Sequence, residues 1–458
     1  MQKALLYKIL AILAMTLLIC VALLMIDSTI RERNAFHTAA VDSIAADSVG
    51  PQTVVGPVLV LRYTDQFEEQ VVNATDAKKF DTVTRSVTRT HLVYPNLLQI
   101  AGNIETDRRY RGIHQVLVYS GLHRFTGDFI LPAKTALPRE NERSRITLNS
   151  AVVALGIDDV RGIRNLPKIN WDGKAFDFKQ GTGLTALAAG VHADLDLMTL
   201  ESAEPVKFSF DLALDGIERQ NFVPIGKNNT ISMTSNWAHP QFGGEFLPSP
   251  RKRVINDKGF SATWSITELS TQAQQQLSKR ELAAPNPRDA RLKLDSFSIA
   301  FIEPVNVYTL SGRAVKYGLL FIALTFASFF VFEILKRLPI HPVQYLLVGL
   351  ALALFFLLLV SLSEHIAFIA AYLIASTACI VLIAFYLSHV LHDWRRGLGF
   401  GTALTMLYGA LYGLLISENN ALVLGSILLF AVLAALMVAT RKVDWYQIGR
   451  TGSEAGTA

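Results

Sequence analysis

The distribution of apolar residues constrains this chain more than any motif in it. One uncharged apolar run, Ile9–Ile26, lies near the N-terminus. Five more lie together at the other end, at about Tyr317–Leu335, Val343–Leu362, Ile366–Leu387, Gly397–Ile416 and Ala421–Thr440. A hydrocarbon core about 30 Å thick is crossed by ~20 helical residues at ~1.5 Å rise each, and every run is close to that length. The pattern predicts a membrane protein with six transmembrane α-helices, one N-terminal and five C-terminal, that hold a long polar segment by both of its ends. The mean hydropathy of +0.33 is then an average over a membrane bundle and a soluble domain, the latter long enough to build a core of its own.

Charge placement orients the spans. Lys3 and Lys8 precede the first run, and the alternate turns carry Lys336 with Arg337, then Arg395 with Arg396, then Arg441, Lys442 and Arg450. The turns between them hold Ser363, Glu364 and His365, and Ser417 to Asn420, with no Lys or Arg. Cations mark cytoplasmic ends, so both termini are expected in the cytoplasm and the polar segment in the periplasm. Arg313 and Lys316 fall on the outer side and are expected to snorkel to the interface. The net charge of +5 is largely this topological signal and gives no reason to expect a nucleic-acid partner. The residues after Ile26 offer no small-x-small cleavage site, so the first run reads as an uncleaved anchor.

The expected divisions are residues 1–26 as a cytoplasmic stub and first span, 27–314 as the periplasmic domain, 315–440 as the five-helix bundle and 441–458 as a cytoplasmic tail. Residues Ile30, His37, Val41 and Ile44 keep helical spacing, which extends the first span as a stalk. Beyond Gly50-Pro51 the period becomes two. Phe208, Phe210, Leu212 and Leu214 alternate with mostly polar neighbours, as do Phe260, Ala262, Trp264 and Ile266, and Val191, Ala193, Leu195 and Leu197. Further strands are expected at Val54–Tyr63, Gln115–Tyr119 and Phe297–Ile302, with turns at Asp172-Gly173, Asp215-Gly216 and Lys258-Gly259. This predicts a large, mostly antiparallel β domain, a sandwich, with one helix near Thr267–Ala284. Both cysteines, Cys20 and Cys379, lie in apolar runs, so the β domain has no disulfide and relies on its core.

Long strings in the C-terminal third are specific: Arg313-Ala-Val-Lys316-Tyr317, Phe329-Phe330-Val331-Phe332-Glu333, His341-Pro342-Val343-Gln344-Tyr345, Ser361-Leu362-Ser363-Glu364-His365 and Thr440-Arg441-Lys442-Val443-Asp444-Trp445-Tyr446. The polar segment adds Gly50-Pro51-Gln52, Asp159-Val160-Arg161-Gly162-Ile163 and Ser235-Asn236-Trp237-Ala238-His239-Pro240. Together these resemble the CreD family of bacterial inner-membrane proteins, over nearly the whole chain and in order. The turn Glu418-Asn419-Asn420 departs from the family's acidic-then-aromatic pattern. The resemblance implies a role in cell-envelope integrity and in tolerance of envelope stress, and brings no catalytic residue with it.

Candidate sites therefore rest on the residues themselves. Glu333 sits inside an apolar run, where an ionisable group marks function unless Lys336 and Arg337 pair with it locally. Glu364 and His365 share an outer turn and could relay protons or bind a headgroup. Trp237 and His239, with Phe242-Gly243-Gly244, could shape a pocket or simply a packed turn. His389, His392 and Asp393 have metal-compatible spacing but no evident third and fourth ligand. Gly397, Gly401, Gly409 and Gly413 recur every four residues and form a helix-packing seam, within the bundle or towards a second copy. No Walker loop, G-x-S-x-G elbow, H-E-x-x-H or paired C-x-x-C occurs, so neither a cofactor nor an enzyme is indicated. The expected partners are membrane lipids and an envelope protein or lipid bound by the β domain. The alternative reading is a transporter or lipid-handling protein with a groove in the bundle.

Overall fold

The computed structural model describes residues 2–72, 80–112, 114–197, 205–282, 294–303, 307–336, 340–390, 393–417 and 421–441. It resolves into two compact units: residues 1–38 with 305–458, and residues 39–304.

The first unit is helical. Helix α1 (Gln2–Asp47) begins in it, and α3 (Val307–Lys336), α4 (Pro342–Ser363), α5 (Phe368–Val390), α6 (Trp394–Ile416) and α7 (Ala421–Thr440) complete it. Five of these six are long and apolar enough to cross a membrane, and α7 contributes a shorter described apolar stretch, Val423–Ala435. The one-plus-five arrangement read from hydropathy is the one observed. His341 caps α4 by accepting from the Val343 N–H, and Gln344 returns a bond to the His341 N–H. Packing is by close approach of small and aromatic residues. Ile19 of α1 lies where a Cβ on Gly349 of α4 would project. Tyr408 of α6 is held between Phe321 of α3 and Phe355 of α4, each 4.7 Å away between ring centroids.

The division between units differs from the expected one at residues 27 and 314. Ile30 is buried in the helical core, near Gly312, and the His37 and Tyr308 rings lie 6.2 Å apart. α1 and α3 stay paired beyond their apolar runs, so these flanks group with the helices rather than with the strands.

The second unit is a β sandwich. Its strands are β1 (Gln52–Val72), β2 (Phe80–Val93), β3 (Leu97–Arg111), β4 (His114–Phe129), β5 (Arg145–Ile157), β6 (Lys168–Trp171), β7 (Lys174–Asp177) and β8 (Lys179–Gln180). They continue with β9 (Gly190–Leu195), β10 (Val206–Ile217), β11 (Arg219–Val223), β12 (Asn228–Ser235), β13 (Pro240–Gly244), β14 (Arg253–Asn256), β15 (Gly259–Thr267) and β16 (Phe297–Phe301). One sheet runs β13-β16-β11-β1-β5-β9-β8, with β2 also on β1. The other runs β14-β15-β12-β3-β4-β10-β6-β7. Pairing is antiparallel except for β1 with β11 and β3 with β12. Both sheets contribute to one core, in which Trp264 of β15 stacks on Phe297 of β16 at 4.4 Å.

The alternating runs expected at β9, β10 and β15 are strands with the apolar face buried, except that β9 ends at Leu195 and leaves the expected Leu197 exposed beyond it. Helix α2 (Ala273–Leu282) begins later than the expected Thr267, because Thr267 still pairs with Asn228 in the sheet, and the expected end at Ala284 lies outside the described residues. The long β1–β2 hairpin, in register from Leu59–Val93 to Val72–Phe80, was not forecast from the pattern. Residues 80–88 are exposed on both faces, so their β-branched alternation has no apolar side to reveal it.

Candidate functional site

The turn that follows α4 is the centre of a polar cluster that joins three helices. Glu364 ends α4, with its side chain only 9% exposed. Its Oε1 accepts from Tyr308 Oη of α3 at 3.3 Å and faces Arg33 Nε of α1 at 3.7 Å. His37, one turn beyond Arg33, brings its ring to Tyr308. His365 is exposed and lies outside this cluster. The two adjacent candidates are thus separated: Glu364 ties helices together, and the imidazole that faces the same tyrosine is His37. The spacing of Arg33 and His37, four residues apart on one helix face, is the signal that could have found them.

Glu333 lies at the opposite end of α3 and is buried. Tyr345 Oη of α4 donates to its Oε2 at 2.8 Å, and Phe326 and Phe329 meet the Tyr345 ring edge-on. The Lys336 side chain and Arg337, expected as local partners, lie outside the described residues. The phenol, 12 residues along the chain and on the next helix, was not anticipated.

In the β unit, Trp237 and His239 come together, with rings 6.2 Å apart and perpendicular. Trp237 Nε1 donates to the backbone oxygens of His239 and Ile302, both at 3.1 Å, and Arg108 sits 5.7 Å over the indole while facing Glu303 at 3.4 Å. This fastens the connection from β12 to β13 onto the end of β16. His239 itself is exposed.

The glycine series on α6 divides in two. A Cβ at Gly397 would meet the Ala384 oxygen of α5 at 2.8 Å, and one at Gly401 would meet Ala384 Cβ at 3.2 Å. Gly409 and Gly413 have no atom within 4 Å of the equivalent point among the described residues. Gly397→Ala should therefore cost on the order of 1 kcal/mol of thermal stability in detergent, whereas Gly409→Ala should cost nothing measurable. At the start of α6, Asp393 caps the helix by accepting from the Arg395 N–H at 3.0 Å and faces Arg396. His389 bonds back to the Phe385 oxygen, and His392 lies outside the described residues, as do Glu418-Asn419-Asn420 and Asp444-Trp445-Tyr446. Among the described residues, no three His, Cys, Asp or Glu side chains cluster as a metal site.

Two of the quoted strings meet in space. Gln52 Nε2 bonds to the Asp159 and Asp215 oxygens, and Gly50 N–H donates to Asp159 Oδ2. Arg161 caps the last turn of α1 through the oxygens of Ala46 at 2.7 Å and Ala45 at 3.2 Å, and its guanidinium holds the Asp159 carboxyl below the usual carboxylate range. Arg161→Ala should lower the stability of the intact chain, read as a downward shift in Tm.

The match to known proteins follows this frame. The family model described as "Inner membrane protein CreD" matches residues 4–446. The chain belongs to the CreD family. "Inner membrane protein CreD" of Escherichia coli strain K12 is 34% identical over 446 residues, which span 97% of this chain and 95% of that protein. Among solved structures, an M1 zinc metallopeptidase from Deinococcus radiodurans aligns over 37% of this chain and 38% of its own, at 11% identity and a TM-score of 0.20, too low to bear on fold or function. Membership of the CreD family agrees with the resemblance read from the strings above.

Proposed function

We propose that this CreD-family chain is a non-catalytic scaffold of the bacterial inner membrane that supports envelope integrity under stress. Its β unit lies in the periplasm and binds an envelope lipid or protein, while the helices keep it at the membrane. The observation that carries this reading is the insertion of residues 39–304 between two parts of one helical unit. A domain tethered at both ends has a restricted reach and a fixed face, which suits a fixture of the membrane surface better than a diffusing enzyme.

The described polar groups of the helical unit fit the same reading. Glu333 and Glu364 lie at opposite ends of α3 and each is engaged by a neighbouring helix, Glu333 by Tyr345 and Glu364 by Tyr308 and Arg33. Groups that lock helices together support a rigid mount more than a transport path, which needs polar residues in sequence through the bundle. Deleting the gene in its host should raise sensitivity to envelope-acting agents, and the full chain should restore tolerance. Unchanged sensitivity of the deletion strain would contradict the proposal.

A further inference from the structure

The β1–β2 ribbon gives the first sheet an open edge. Strand β2 pairs with β1 along its whole length, and among the described residues it has no partner on its other side. Such an edge offers every second N–H and C=O to whatever lies beside it. Edges that stay single are typically blunted by Lys, Pro, a bulge or a cover. Residues 80–88 contain no Lys, Pro or Gly, pair with β1 without a shift of register, and are exposed. The charges in this stretch are Asp81 and Arg85, and Arg85 is already paired within the ribbon to Glu69.

The edge is also complementary to itself. Outwards from Arg85 the sequence reads alike in both directions: Thr84 and Ser86, Val83 and Val87, Thr82 and Thr88. A second copy laid antiparallel, with Arg85 opposite its own counterpart, sets valine against valine on one face and hydroxyl against hydroxyl on the other. Val83 is 43% exposed and Val87 40%, so each has apolar surface to cover. Asp81 falls opposite Arg89, whose guanidinium also binds Asp65 and Glu140. The smallest slips that keep the two faces spoil the match. In one direction Val83 meets Arg85 and Val87 meets Asp81; in the other Val83 meets Arg89 and Val87 meets Arg85.

We propose that the chain forms a two-fold dimer through the β2 edges of two copies, centred on Arg85, so that the first sheets of two sandwiches become one continuous sheet. This pairing does not depend on the scaffold role.

The test uses the full chain with Cys20→Ala and Cys379→Ala, in membranes of the expressing cells, oxidised with copper phenanthroline and resolved on a non-reducing gel. Arg85→Cys should cross-link to itself, because directly opposed Cα atoms lie ~5 Å apart, within reach of a disulfide. Val83→Cys alone and Val87→Cys alone should not, since like residues would lie ~14 Å apart along the strands. Two differently tagged copies, one carrying each of these changes, should cross-link to one another. Val83→Lys with Val87→Lys should reduce the Arg85→Cys cross-link about tenfold, since both positions are exposed and the change sets like charges opposite each other. Coexpression with a copy carrying Val83→Glu and Val87→Glu should restore it, between unlike copies. An Arg85→Cys chain that stays monomeric, single valine variants that cross-link as well as it does, or a cross-link undiminished by the lysines would each overturn the dimer. A disulfide from Arg85→Cys to a different protein alone would give the edge to a foreign strand, and would overturn it as well.

Discussion

Tyr345→Phe should lower the stability of the helical unit by about 2 kcal/mol, because it removes the donor from a buried carboxylate and leaves the ring in place. The Tyr345 Oη to Glu333 Oε2 bond is 2.8 Å long, both residues are buried, and two phenylalanines wall the ring. Glu333→Gln keeps an acceptor oxygen opposite the phenol and should cost less than about 1 kcal/mol. Replacing both residues with apolar ones, Glu333→Leu and Tyr345→Phe, should recover part of the loss, since the phenol and the carboxylate are removed together. Thermal unfolding in detergent separates these four proteins. The same set discriminates between functions. If Glu333 carried a proton or a cation through the bundle, Glu333→Gln would abolish rescue of the deletion strain; the scaffold account expects rescue by Glu333→Gln at normal strength.

The β sandwich should lose stability as pH falls from 7 to 5, by on the order of 2 kcal/mol from His123, with His91, whose imidazole burial also pushes down, adding in the same direction. His123 of β4 is fully buried between the two sheets, where Gln220 of β11 donates its amide to the ring Nε2 at 3.0 Å. A Cβ on either Gly102 or Gly121 would fall on the imidazole, so the two glycines make the space for it. Burial pushes the imidazole down to about 4, against the smaller upward pulls of Gln220 and the Leu212 and Gly121 backbone. The folded state therefore binds its proton only near pH 4, while the unfolded chain binds it near the ordinary 6.5. Between those values the unfolded state holds more protons, so stability is intact above about 6.5 and falls as pH drops towards 4. His123→Leu with Gln220→Leu should shrink this dependence to the part left by His91, at little cost at pH 7, and His123→Phe alone should shrink it likewise while stranding the Gln220 amide at about 1–3 kcal/mol. Unfolding of the intact chain, followed through the β unit at several pH values, checks both. A wild-type curve with no slope between pH 7 and 5 would contradict the assignment.

What the sequence made legible, and what it did not, follows from where the partners lie. The apolar runs declare their helices because a bilayer demands length and hydrophobicity, which are local properties. The strands at Val191–Leu195, Phe208–Leu214 and Phe260–Ile266 declare themselves because one face meets the core and the other meets water. The β1–β2 ribbon did not, since neither face of residues 80–88 is buried. Glu333 and Glu364 stood out as carboxylates in or beside apolar runs. Their engagement by Tyr345, and by Arg33 and Tyr308, did not, because those contacts are made between helices and depend on packing that spacing alone does not encode. The string Asp159-Val160-Arg161-Gly162-Ile163 was noticed as a motif, and its place at the end of α1 accounts for it: a Cβ on Gly162 would lie 2.5 Å from Gln52 Nε2 and from the Asp215 oxygen. His123 drew no notice in the sequence, since a histidine on a strand face gives no sign that two glycines have been spared to enclose it.

The central claim is that the β unit lies outside the cytoplasmic membrane with both ends held by helices whose cationic ends lie inside. Lys174 follows the exposed Asp172-Gly173 turn and is well exposed, and Arg395 lies in the first turn of α6. In a chain with Cys20→Ala and Cys379→Ala, a membrane-impermeant maleimide should modify Lys174→Cys in intact spheroplasts, and should modify Arg395→Cys only in inverted vesicles. Protection of Lys174→Cys in spheroplasts, with modification in inverted vesicles, would place the sandwich in the cytoplasm and contradict the account.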